Sequence, residues 1–236
     1  MTDWYKIKRI LVRQNNQEKQ IYPATWHPWA NTLAYYNIDA NDTTSIIYDK
    51  SWNSRNLTWY WTWAYTTDAN AWKVAVFNWA SYASLGWYIN PWWTAYTLLL
   101  WGKYSSWGTY VSQWSSSSRL STIAMFTWGW TYETPAVSSS WIDFNPEPPT
   151  NTWSMLVWVR DGSSISIYYN GQLNGQKTDS NIQTDWTSWG YWQLWGNRQQ
   201  YDFLTWQIKT VIFENKAWSA SEILDYYNQT KSNYGF

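Results

Sequence analysis

Residues 152–173 read "TWSMLVWVRDGSSISIYYNGQL", two apolar runs divided by Asp161-Gly162 and closed by Asn170-Gly171. Such pairs supply the positive φ angles that tight hairpin turns need. The spacing predicts strands over Trp153–Val159 and Ser164–Tyr169 joined by a hairpin, with a second turn where the later strand ends.

Outward from this hairpin, toward the carboxyl terminus, "AWSASEILDYYNQ" spans residues 217–229. Ser219 followed three residues later by Glu222 is the signature of a capping box, and Trp218 and Ile223 are spaced as a hydrophobic staple around it. Ile223, Tyr226 and Tyr227 stand three and four residues apart, so one side of a short helix packs on the body. Other β-type segments are expected at Tyr5–Val12, Thr32–Ile38, Val74–Asn78, Tyr96–Tyr104, Arg119–Phe126 and Gln207–Phe213, with Ser, Asn, Asp and Gly clusters between them. Short strands punctuated in this way predict an all-β sandwich or barrel with one helix near the end.

Composition sets bounds on partners. The 236 residues suit one large β-domain, and sixteen basic against sixteen acidic residues leave no global field to draw nucleic acid or an anionic membrane. With no cysteine there is neither a disulfide framework nor a thiolate metal site. The opening "MTDWYKIKRILVRQNNQ" has charges among its apolar residues and lacks the core of a secretory signal. The longest apolar run, "YTLLLWGKY", is far shorter than the ~20 residues that cross a bilayer, so no membrane insertion is expected.

The segments together resemble the laminin G-like, concanavalin A-like lectin and glucanase domains, especially those of bacterial surface and phage structural proteins, over about Trp26 to Asn228. The most specific portion is residues 152–173 followed by "FLTWQIKTVIFENKAWSASEILDYYN", similar to the closing strand, Asn-containing bend and terminal helix of that family. Upstream, "TLAYYNID", "YDKSWNSRNLT", "VAVFNWASYASL" and "YTLLLWGKY" look like its opening strand, its loop, its strand pair and its Trp-bearing strand. The resemblance implies a two-sheet antiparallel jelly-roll sandwich over residues 25–236, preceded by an amino-terminal β-arm over residues 1–24. It also implies a non-catalytic carbohydrate-binding or adhesion module at a cell surface or on a virion, or an assembly subunit of a phage particle or surface array. Its partner would be a glycan or a cell-surface or virion component.

Three positions depart from that pattern. At Trp52, Trp79 and Trp206 the family ordinarily carries glycine, where a positive φ or a close neighbouring strand tolerates no Cβ. The chain holds 26 tryptophans and 10 glycines, whereas average usage of about 7% predicts roughly 16 glycines. Many of the tryptophans are therefore read as glycines, the gene using UGA for glycine, while Trp101, Trp153 and Trp218 match places where an indole is expected. On that reading "LTWYWTWAY" at Leu57–Tyr65 is a turn-rich link. Read literally, Trp59, Trp61 and Trp63 alternate as strand residues do and would present a ladder of rings suited to sugar C–H faces.

Catalytic signals are few. A retaining glycosidase needs two facing carboxylates about 5 to 5.5 Å apart, and the family's glucanase pattern of acids on one strand is missing. Asp143 and Glu147 are the nearest pair, in a segment that Pro146, Pro148 and Pro149 turn into a loop. His27, the single histidine, has no nucleophile motif nearby. The expectation is no enzyme and no catalytic residue. Calcium occurs in relatives, and Asp39, Asp42 and Asp49 could supply oxygens for it, although acids in turns more often cap backbone amides. Ligand binding is assigned to Arg198, Tyr201 and Asp202 of "GNRQQYDFLT", with Tyr110 and Arg119 beside them; the plainer reading is that these are ordinary loop and strand residues. Ahead of the family match, "WYKIKRILVRQNNQEKQIYP" reads as two alternating strands around an Asn-rich turn, a candidate docking arm.

Overall fold

Both glycine turns fall where the sequence puts them. The strand Ser154–Asp161 runs antiparallel to Ser164–Tyr169, from Asp161 opposite Ser164 to Leu156 opposite Tyr169. Gly162 opens the two-residue loop at φ +59°, as a type II′ turn requires. Asn170 and Gly171 both have positive φ, +47° and +83°, the arrangement of a type I′ turn.

The computed structural model describes residues 11–14, 17–20, 31–60, 64–77, 82–85, 95–104, 111–114, 119–121, 124–125, 130–133, 140–144, 146–178, 191–194 and 206–236. A ribbon of Leu11–Gln14 (β1) and Gln17–Gln20 (β2) comes first, then Thr32–Asn37 (β3), Ile46–Ile47 (β4), Leu57–Tyr60 (β5), Ala64–Asp68 (β6), Trp72–Phe77 (β7) and Tyr82–Leu85 (β8). The middle carries Ala95–Tyr104 (β9), Val111–Trp114 (β10), Arg119–Ser121 (β11), Ala124–Met125 (β12), Trp130–Glu133 (β13) and Ser140–Asp143 (β14). The hairpin strands above are β15 and β16; Gln172–Thr178 (β17), Tyr191–Leu194 (β18), Trp206–Glu214 (β19) and the helix Ala220–Thr230 (α1) follow.

Two antiparallel sheets form a sandwich. One has the order β17-β16-β15-β9-β19-β7-β6, and the other β11-β10-β18-β8-β5-β4. β12, β13 and β14 make a small third sheet, and the β1–β2 ribbon is a sheet of its own. β19 organises the larger sheet: along one edge it pairs with β9, while its other edge is divided, Trp206–Ile208 meeting β7 and Thr210–Glu214 meeting β3.

Strand periodicity then sorts the side chains between two cores. Leu98, Leu100, Leu156, Trp158, Val211 and Phe213 of the larger sheet share one buried cluster with Ile47 and Leu57 of the smaller. Their neighbours Leu99, Trp101, Met155, Val157, Val159 and Ile212 enter a second cluster with Trp218, Ile223, Tyr226 and Tyr234 from the carboxyl-terminal segment. The central strands are thus covered on both faces, which is why they read as continuous apolar runs. The capping box forms: Glu222 N donates to Ser219 Oγ, and Ser219 N donates to Glu222 Oε2. Trp218 and Ile223, on either side of it, are both buried.

Three expectations are revised. The single strand expected over Arg119–Phe126 is divided, β11 joining the six-stranded sheet and β12 the small one. The stretch Leu57–Tyr65 is no turn-rich link in its described residues, because Leu57–Tyr60 is β5, paired to β4 and β8, and Ala64 begins β6. Residues 172–178 form a strand the pattern did not announce; it lies at the sheet edge and is largely exposed, so its sequence needs no apolar alternation.

Candidate functional site

The described polar residues concentrate on the loops that follow β3. Asp42 is buried, and its carboxylate accepts Asp39 N at 2.7 Å and Tyr48 N at 2.8 Å. Asp39 in turn accepts Asn41 N, and the Lys50 ammonium lies 3.1 Å from Asp39 and 3.6 Å from Asp42. Asp49 belongs to a separate bracket. It accepts Tyr35 N and Ser51 N on one oxygen, and Arg55 N and Ser51 Oγ on the other. All three acids therefore hold backbone amides in place, the usual work of aspartate in turns. Asp39 and Asp42 come together around an ammonium, and Asp49 stands apart. Among the described residues no group of three or more His, Cys, Asp or Glu side chains is placed to hold a metal ion.

Lysines supply the positive charge in this region. Lys73 Nζ donates to Asp42 O at 2.7 Å and sits 3.7 Å from the centroid of the Tyr65 ring. Lys209 occupies a bulge of β19, between Ile208 and Thr210, and its Nζ donates to Ile38 O and Lys73 O. The bulge re-aims this side chain at the place where the edge of β19 passes from β7 to β3. Burial, and then the nearby Asp42 and Asp39 carboxylates, push the Tyr65 hydroxyl far above its ordinary pKa, so it remains a donor, to Thr43 O at 3.0 Å.

A second polar group lies at the β6–β7 turn. Asp68 bonds Lys103 Nζ at 2.7 Å and Trp153 Nε1 at 3.0 Å, and accepts Asn70 N and Ala71 N. Burial raises its pKa, but these donors together outweigh that and bring it down to about 2. On the helix side, burial pushes Glu214 up to about 7 despite the Thr32 hydroxyl that donates to it at 2.5 Å.

The tryptophans divide by environment. Trp101 is 0% exposed, stacked on Tyr234 at 3.9 Å between centroids and donating to Thr230 Oγ1. Trp153 and Trp218 are likewise buried. Trp52, at the turn of residues 51–53, is 78% exposed, and its φ lies outside the left-handed region expected of a glycine position. Trp79 and the side chain of Trp206 lie outside the described residues, as do Trp61, Trp63 and the ring of Trp59.

Of the ligand-binding residues expected from the sequence, Tyr110, Arg198, Tyr201 and Asp202 lie outside the described residues, and so does His27. Arg119 begins β11, the edge strand of the six-stranded sheet; its side chain is not among those described. Glu147 is exposed after β14, and the Asp143 side chain is outside the described set. Sequence reasoning passed over Lys50, Lys73, Lys209 and Asp68. The available signal was a lysine inside an apolar strand, as in "WKVAVF", since such an ammonium requires partners.

No family model matches the chain, and no curated protein sequence does. Solved structures do. Domain 4 of an extracellular arabinanase from Geobacillus stearothermophilus, in complex with arabinotriose, is similar with a TM-score of 0.63 at 20% identity, covering 83% of this chain and 97% of that one. The binding domain of Paraclostridial Mosquitocidal Protein 1 has a TM-score of 0.61 at 13% identity, over 84% of this chain and 52% of that one. The binding domain of botulinum neurotoxin DC, in complex with rat synaptotagmin II, has a TM-score of 0.62 at 11% identity, over 84% and 51%. This chain thus spans about half the length of the toxin binding domains. At these identities the likeness is one of fold, that of a β-rich jelly-roll sandwich. Among the described residues no helix is long and apolar enough to cross a membrane.

Proposed function

We propose that this chain is a non-catalytic carbohydrate-binding or adhesion module of concanavalin A-like, laminin G-like type, displayed at a cell surface or on a virion. The observation that supports it most is the sandwich shared with a domain solved with arabinotriose, over 97% of that domain's length. Toxin binding domains with the same sandwich add support for recognition as the use of the fold. The ligand would be a glycan or a glycosylated surface component, with Tyr110, Arg119, Arg198, Tyr201 and Asp202 as its contacts and the domain running over residues 25–236. Aromatic faces and a few orienting polar groups are what sugar recognition uses. The full chain applied to a glycan array that includes arabino-oligosaccharides tests this. Saturable binding that Tyr201→Ala weakens is expected; no binding across the array, or release of reducing ends from polysaccharide, overturns it.

A second reading is a structural subunit of a phage particle or surface array. The β1–β2 ribbon favours it, since within the described residues its strands pair only with each other. An arm over residues 1–24 would then dock on a neighbouring subunit. Deleting it would then abolish oligomers in sedimentation, whereas a module of the first reading alone sediments as a monomer and binds glycan.

A further inference from the structure

We propose that residue 72 is a glycine in the protein as its source cell makes it, the gene carrying UGA at this position and that cell reading UGA as glycine. The backbone at residue 72 carries this furthest. Asp68 and residue 72 face each other across the mouth of the β6–β7 hairpin. Asp68 Oδ1 accepts Asn70 N at 2.9 Å and Ala71 N at 3.1 Å, so the aspartate itself shapes the turn. The chain leaves the turn at residue 72 with φ +62°. Hairpins with loops of this kind characteristically place glycine at such a left-handed position.

In the left-handed region a Cβ crowds the following carbonyl oxygen, and a bulky residue there is an outlier. The other described non-glycine residues with positive φ are Ser54, Asn151 and Asn170. Asparagine is enriched in this region and bonds locally, and serine is small; tryptophan has neither property. The strain obtains little in return, since residue 72 is 50% exposed.

Residue 52 does not share this backbone signature: its indole is 78% exposed at a turn flanked by Ser51, Asn53 and Ser54, but its φ is not positive. By contrast Trp101, Trp153, Trp158 and Trp218 are at most 7% exposed. The chain's 26 tryptophans and 10 glycines, against roughly 16 glycines from average usage, are what a two-way reading of one codon would leave behind. Buried indoles come from UGG and turn positions from UGA.

Sequencing the coding DNA at codons 72, 101, 153, 158 and 218, with peptide mass spectrometry of the protein from its source, decides the matter. Expected are UGA at 72 with its peptide lighter by the exchange of an indolylmethyl group for hydrogen, and UGG at the four buried positions. UGG at 72, or UGA there with a peptide of tryptophan mass, overturns the proposal. A chain synthesised as written gives a second readout. Trp72→Gly should raise Tm by about 2–4 °C, the shift expected for a gain near 1 kcal/mol in a domain of this size; an unchanged or lower Tm counts against glycine at this position.

Discussion

Trp101 and Trp52 are the same side chain in opposite circumstances. Trp101 lies between the larger sheet and the carboxyl-terminal segment, 0% exposed, stacked on Tyr234 and bonded to Thr230, whereas Trp52 stands 78% exposed at a turn. The first position uses the whole ring: its area, its flat face and its single donor. At the second most of the ring stands in water at a bend of the chain. An indole thus reports on packing where the sheet is roofed by α1, and on very little where a loop meets water.

The contrast is broken most directly at Trp101. Trp101→Ala removes the ring on which Tyr234 rests, and a loss of about 3–5 kcal/mol is expected in urea unfolding; a loss below about 1 kcal/mol would mean that the helix-covered core does not depend on it. A smaller, pH-dependent effect belongs to Glu214, buried on the same side of the molecule. Its folded pKa is raised from 4.5 to about 7, chiefly by burial. The folded state therefore holds a proton that the unfolded state releases. The associated stability is complete below about pH 4.5 and is lost as pH rises through 7. Glu214→Gln, which cannot ionise, should flatten this slope by at most about 3 kcal/mol, measured as the change in unfolding free energy between pH 4.5 and 8. An unaltered slope would assign the dependence to other groups. The smallest effect is expected at the exposed end of the comparison: Trp52→Ser should change stability by less than about 0.5 kcal/mol, and a larger loss in the same assay would show that the ring packs in solution.

The legible portions of the sequence were those where one residue type has one physical use. Asp161-Gly162 and Asn170-Gly171 named their turns because few residues accept positive φ, and Ser219 with Glu222 named the helix start because free amides need those acceptors. β17 went unread because an exposed edge strand satisfies no core and so carries no period. The break between β11 and β12 was equally silent, since both pieces look alike to a pattern and only their sheet partners differ. At the polar loops, the aspartates were legible as acids that cap amides in turns, but which amides they hold was not, for that depends on how the loop brings Tyr35, Tyr48 and Arg55 to them. Lys73 and Lys209 act through carbonyl oxygens, which no sequence spells out.

The divided edge of β19 bears on how the molecule assembles during synthesis. β3 finds its pairing partner, and β7 its second one, in a segment made long after both, and the Lys209 bulge ties the two at their junction. A nascent chain halted before residue 206 would leave both strands with open hydrogen-bonding edges at the ribosome exit, exposed to pairing with other chains. Emergence of residues 206–214, rather than of the first strands, is then the moment at which this sheet closes.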